Sequence, residues 1–104
     1  MITTIVHFSL PKKNADKWLA KWHEIEAVMI KQPGAIDGIF YRCIDDESPF
    51  QFVNVARWES PEALANALQA SAQEQQQRGI NIGEVIKDLG IKVSQNNYVE
   101  EMRY

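Results

Sequence analysis

The stretch FQFVNVARW, Phe50 to Trp58, holds the residues whose types and spacing could do chemistry. It is rich in aromatic and β-branched residues and reads as a strand. Side chains alternate across a strand, so Phe50, Phe52, Asn54, Ala56 and Trp58 share one face. Gln51, Val53, Val55 and Arg57 share the other. Asn54 is thus a lone amide among aromatic rings. A buried amide without a partner costs roughly 1–3 kcal/mol, so Asn54 needs a side chain, a water or a ligand. Other reactive residue types are sparse. His7 is the only strand histidine. His23 sits beside the apolar stripe of a helix and reads as a surface residue. Two histidines and one cysteine without ligand spacing do not make a zinc site, so no metal is expected. Gly79 and Gly83 alone do not make a phosphate loop.

Length and composition narrow the classes. The 104 residues suit one domain, residues 1–104. Hydrophobic residues are 45%, charged residues 24% and the net charge is −3, with no block of Lys or Arg. That balance argues against a nucleic-acid footprint. No apolar run approaches the length of a membrane span. Four Phe, three Trp and three Tyr can furnish both a core and a pocket. A single cysteine, Cys43, excludes an intrachain disulfide. With no signal-peptide pattern before the first strand, the expectation is a cytoplasmic protein.

The elements that must position Asn54 follow in order. Ile2 to Leu10 reads as a strand ended by Pro11, with Asn14 as N-cap for a helix from Ala15 to Lys31. Trp18, Trp22, Ile25 and Met29 form one helical stripe, which reads as packing rather than as a cofactor box. Pro33 and Gly34 stop that helix. Ala35 to Asp45 reads as a second strand, pairing through the turn Asp46–Pro49 with the strand of the opening stretch. Ser60 and Pro61 mark a sharp helix start. Leu64, Leu68 and Ala72 of that helix are expected to face inward, and the glutamine-rich run Gln73–Gln77 reads as a solvated end. A short helix between Gly83 and Gly90 is expected next. The last strand lies within Ile91 to Tyr104, with its clearest alternation from Tyr98 to Arg103.

Strand, helix, strand, strand, helix, strand is the ferredoxin-like βαββαβ order, an α+β fold with an antiparallel sheet and helices on one face. Its first two strands are not neighbours, which argues against a Cys43–His7 dyad. The first three strands are apolar on both faces, yet the helices cover only one. The uncovered face is expected to show Phe52 and Trp58, with either Val6 and Phe8 or Ile5. Covering it with a second copy of the chain gives a homodimer, a dimeric α+β barrel with Asn54 pointing into an apolar interior. Such an interior would also suit a small molecule.

In WLAKWHEIEAVMIKQPG (Trp18 to Gly34) and FVNVARWESPEAL (Phe52 to Leu64) the chain resembles the antibiotic biosynthesis monooxygenase (ABM) family, over nearly its whole length. The resemblance implies a dimeric α+β barrel. It also implies that Asn54 and Trp58 stand in the pocket as catalytic groups, with Arg78 as a third. Val6 and Phe8 would face the pocket with Phe52, which puts His7 on the helix side. Tyr41 either reaches the pocket or packs at an interface, and is counted with the pocket residues. Oxidising members carry an aromatic early in the second helix, where this chain has Leu64. Haem-degrading members carry a histidine ligand in that helix, where this chain has glutamines; haem degradation is therefore not expected.

The function this implies is a cofactor-independent monooxygenase acting on a small phenol or quinol. The substrate anion would react with oxygen directly, steadied by Asn54, Trp58 and Arg78 as donors in a dry site. The alternative is a non-catalytic dimeric barrel that binds a small apolar ligand. No cofactor, nucleic-acid partner or membrane partner is expected under either.

Overall fold

In the computed structural model, which describes residues 1–104, β1 (Ile2–Ser9) leads through a 3-10 turn at Lys12–Asn14 into α1 (Ala15–Met29). β2 (Ala35–Arg42), β3 (Phe52–Trp58), α2 (Pro61–Gln77), α3 (Ile82–Asp88) and β4 (Lys92–Tyr98) follow. All three strand pairings are antiparallel, in the order β2-β3-β1-β4. This is the expected ferredoxin-like α+β arrangement, with α3 added before the last strand.

Local chemistry explains the element ends. The Ser60 hydroxyl accepts from the Ala63 N–H at 3.1 Å, and Pro61 follows it at the first helical position. Asn81 does the same for α3, accepting from the Glu84 N–H at 3.2 Å. Asn14 makes no such cap. Its amide instead donates to the Leu89 carbonyl at 2.9 Å, which ties the start of α1 to the end of α3. Gly34 turns the chain from α1 into β2 with φ +88°, and a Cβ there would lie 2.5 Å from the Ala63 Cβ. Only glycine meets both demands.

The faces of the sheet are the reverse of the expectation. Val6, Phe8, Phe52 and Trp58 are buried beneath the helices, in two core clusters. One joins Phe8 and Phe52 to Trp18; the other joins Trp58 to Ile2, Leu64 and Ala67. His7 points away from the helices, its ring 4.9 Å from that of Phe50. Ile5, Val53 and Val55 lie half-buried beside it, and Ile39 and Tyr41 are exposed. Bulk decides the matter. Trp18 and Trp22 on α1 need large apolar partners, and the ring-bearing face of the sheet supplies them.

Three further differences have physical causes. β4 runs over Lys92–Tyr98, because its ladder is set by β1, from Thr3 opposite Tyr98 to Ser9 opposite Lys92. The alternation beyond Tyr98 has no strand to pair with, and residues 99–104 are exposed. β2 ends at Arg42, where Phe52 on β3 is its last partner. In α2 the buried face is Leu64, Ala67, Ser71 and Gln75; Leu68 and Ala72 are exposed. Gln75, expected in a solvated helix end, is wholly buried.

Candidate functional site

Between the inner face of the sheet and the helices lies a cavity of about 560 Å³. Thr4, Val6 and Phe8 of β1, Phe40 of β2, and Asn54 and Trp58 of β3 form its sheet side. Parity explains the last two, since residues four apart on a strand point the same way. The register reinforces this, placing Asn54 between Val6 on β1 and Phe40 on β2. Trp18, Trp22, Ile25 and Met29 of α1 form much of the opposite wall, with Leu64 and Leu68 of α2 and Ile82 and Ile86 of α3. The volume suits a small organic molecule, for which pockets of roughly 300–1,000 Å³ are usual.

Aromatic rings dominate one side. Phe40 stacks on Trp22 (4.9 Å between centroids, 16° between planes) and on Phe52 (4.9 Å, 24°). Phe8 meets Trp18 and Trp22, each at 5.4 Å. These contacts fix the wall as a set of interlocked planes. Polar groups are few and placed. Thr4 Oγ1 donates to Asn97 Oδ1 at 2.8 Å. Asn54 is half-buried among the apolar groups. The Trp18 indole N–H is buried without a partner.

Where the cavity meets solvent it carries three ionisable residues, His23, Glu26 and Asp37, all exposed. Asp37 is committed elsewhere. Both its oxygens accept from the Arg57 guanidinium, one from Nε at 2.7 Å, and this bond holds its carboxyl below the usual carboxylate range. No Lys or Arg lines the cavity.

Of the residues singled out from the sequence, the structure brings Val6, Phe8, Asn54 and Trp58 together around one cavity. Three others stand apart. Phe52 is 1% exposed and lies behind the wall, backing Phe40. Tyr41 is on the opposite face of the sheet, half-exposed. Arg78 follows the end of α2, paired with Glu74 at 2.8 Å, beside a separate polar cleft with Glu24 and Lys31. It lines that cleft and not the cavity. The cavity also lies within one chain rather than between two sheets.

The sequence reading passed over Trp18, Trp22 and His23. The tryptophan stripe was visible in the spacing, but packing and lining are not alternatives for so large a side chain. His23 was set aside as surface, yet it adjoins Trp22 and is both exposed and part of the cavity edge.

The family model of antibiotic biosynthesis monooxygenase matches residues 1–78. Among curated proteins, none shows significant sequence similarity to the chain. Solved structures do resemble it. A candidate monooxygenase from Shewanella loihica is 24% identical with a TM-score of 0.75, over 98% of this chain and 95% of that one. SnoaB, a cofactor-independent oxygenase from Streptomyces nogalater, is 16% identical with a TM-score of 0.74, over 98% and 94%. A candidate antibiotic biosynthesis monooxygenase from Deinococcus radiodurans is 14% identical with a TM-score of 0.76, over 100% and 96%. At these identities the likeness is one of fold.

Proposed function

Because the chain belongs to the antibiotic biosynthesis monooxygenase family, we propose that it oxidises a small phenol or quinol with dioxygen, without a cofactor, inside the cavity. The observation that carries this reading is the pairing of Asn54 and Trp58 in one apolar cavity of about 560 Å³. An electron-rich hydroxyarene loses its hydroxyl proton there, and its anion reacts with dioxygen. One oxygen atom enters the ring as a second carbonyl and the other leaves as water. The product is a quinone.

The protein's task is to favour the anion. The Asn54 amide and the Trp58 indole N–H are donors for a developing oxyanion. Apolar surroundings strengthen each of those hydrogen bonds relative to water. Trp22 and Phe40, stacked on each other, supply apolar aromatic lining for the substrate. Arg78 pairs with Glu74 and lines a separate cleft, so the reading rests on Asn54 and Trp58. SnoaB, described as a cofactor-independent oxygenase, supports the reading by analogy of fold.

Leu64 supports a second reading. It is 5% exposed in the cavity wall beside Trp58 and offers no hydrogen bond. A barrel that only binds a small apolar ligand would use Asn54 to orient it. Oxygen uptake with a panel of phenols and quinols separates the two. The monooxygenase reading expects turnover by the wild type, and a loss on the order of 10²–10³ in Asn54→Ala, the usual cost of one oxyanion donor. Trp58→Phe, which keeps the ring and removes the N–H, should fall similarly. Equal rates in all three would end the assignment of these two residues. Ligand binding without oxygen uptake would favour the second reading.

A further inference from the structure

We propose that the His23 imidazole is the base that takes the substrate's hydroxyl proton. The inference rests on the monooxygenase reading and adds to it the group that reading lacks. Asn54 and Trp58 can stabilise an oxyanion, but neither can accept a proton near neutral pH. The lining of the cavity supplies the rest of the argument by elimination. Its polar residues are Thr4, Asn54, Gln95 and the indoles, none of them a base, and the three ionisable residues His23, Glu26 and Asp37. Asp37 spends both carboxylate oxygens on Arg57. Carboxylates as a class are also weaker bases than imidazole, by about two pKa units. A general base works best when its proton affinity lies near the working pH, which singles out the imidazole.

Placement agrees with this role. His23 follows Trp22, whose ring stacks on Phe40 in the cavity wall. Both residues line the cavity, the ring in its wall and the imidazole at its edge. Glu26 is three residues further along α1 and also lines the cavity. Residues at that spacing are neighbours on a helix surface. The Glu26 carboxylate is therefore placed to steady the imidazolium once it forms, as a positioning residue.

The hydroxyarene transfers its proton to an imidazole nitrogen of His23. The resulting anion gives one electron to dioxygen, and the radical pair joins at a ring carbon to form a peroxide anion. That anion takes the proton back from the imidazolium. Loss of the ring C–H proton, with cleavage of the O–O bond, yields the quinone and water, and the site is restored.

The experiment compares the wild type with His23→Gln and His23→Ala. His23 is exposed on a helix and glutamine is a good helix former, so the fold should survive. Two readouts are taken: oxygen uptake with a quinol, and the visible absorbance of 4-nitrophenol bound to the protein, which reports ionisation without turnover. The expected result is that the wild type binds 4-nitrophenol as the phenolate and His23→Gln binds it as the neutral phenol. Oxygen uptake should fall on the order of 10²-fold in both variants, and added imidazole should restore part of it in His23→Ala alone. Equal phenolate formation in wild type and His23→Gln overturns the proposal, as does a wild type that binds no nitrophenol or binds it only as the neutral phenol. Phenolate formation that depends on His23 but leads to no oxygen uptake from any substrate would uphold the base and overturn the monooxygenase reading instead.

Discussion

Asn54 and His23 divide the polar work of the cavity, one inside and one where it meets solvent, and the charge of their neighbours narrows what can enter. Two carboxylates line the cavity and, with Asp37 paired to Arg57, the unpaired one is that of Glu26. A neutral phenol meets no penalty there. A ligand with two carboxylates of its own does, because like charges a few ångström apart disfavour binding. Haem is such a ligand, and its propionates would find no Lys or Arg on this cavity. In the sequence, the absence of a histidine from α2 and a surface position for His23 both speak against haem. The structure removes the second support, since His23 borders the cavity, and replaces it with the charge of the rim. Haem titration is therefore expected to give no stoichiometric complex with an axial-histidine spectrum. A His-ligated complex that disappears in His23→Ala would refute this. The candidate site was thus legible in part: parity puts Asn54 and Trp58 on one face, but the face expected for them is the helix-free one, and the structure turns it toward the helices. It was illegible at His23, because helical phase alone does not say how wide a cavity opens beside a stripe.

At the scale of the element, the chain order and the cap at Ser60 follow from local rules and the element types agree with them, whereas Asn14, expected as a cap, makes none. What local rules do not settle is which side of a two-sided strand receives the helices. β1 and β3 carry Ile5, Val53 and Val55 on one face and Val6, Phe8, Phe52 and Trp58 on the other, so alternation is satisfied either way. Packing settles it, because only the ring-bearing face offers Trp18 and Trp22 aromatic partners of matching bulk. The same blindness hides Gln75. Leu64, Ala67, Ser71 and Gln75 are one stripe at spacings of three, four and four, but its composition fades from apolar to polar along α2. In a run of glutamines nothing marks the one that turns inward. Gln75 is wholly buried, with neither amide atom partnered. A buried amide in that condition costs about 1–3 kcal/mol. Gln75→Leu, of similar size, should raise stability by about that amount in urea unfolding, with the slope unchanged. A variant less stable than the wild type would show that Gln75 has a partner in solution.

The whole molecule is a slab, 39 × 35 × 17 Å, with a radius of gyration of 14.1 Å. A compact chain of this length has a radius near 13 Å. Its surface tells the same story. A monomer of 11.9 kDa ordinarily exposes about 6,000 Å², whereas this chain exposes 7163 Å². The open face of the sheet and the exposed residues 99–104 are where that excess lies. On the open face the register sets Ile39, Val55 and Ile5 in one row and Tyr41, Val53 and His7 in the next. Ile39 is 56% and Tyr41 50% exposed. Apolar rows of this kind on a sheet without helices call for cover, and we propose a second copy of the chain, sheet against sheet. The partner would then meet the face opposite the cavity, so each subunit keeps its own site. Such an interface should bury on the order of 2,000 Å² in total. Light scattering at micromolar concentration should give twice the 11.9 kDa chain mass. Ile39→Lys tests the face directly: the side chain is exposed in the single chain, so the fold tolerates the change, while a dry interface does not tolerate an unpaired buried charge. The expected outcome is a folded monomer with unchanged far-ultraviolet circular dichroism and a cavity that still binds 4-nitrophenol. A wild type that is monomeric, or an Ile39→Lys variant that stays dimeric, would move the interface elsewhere or remove it.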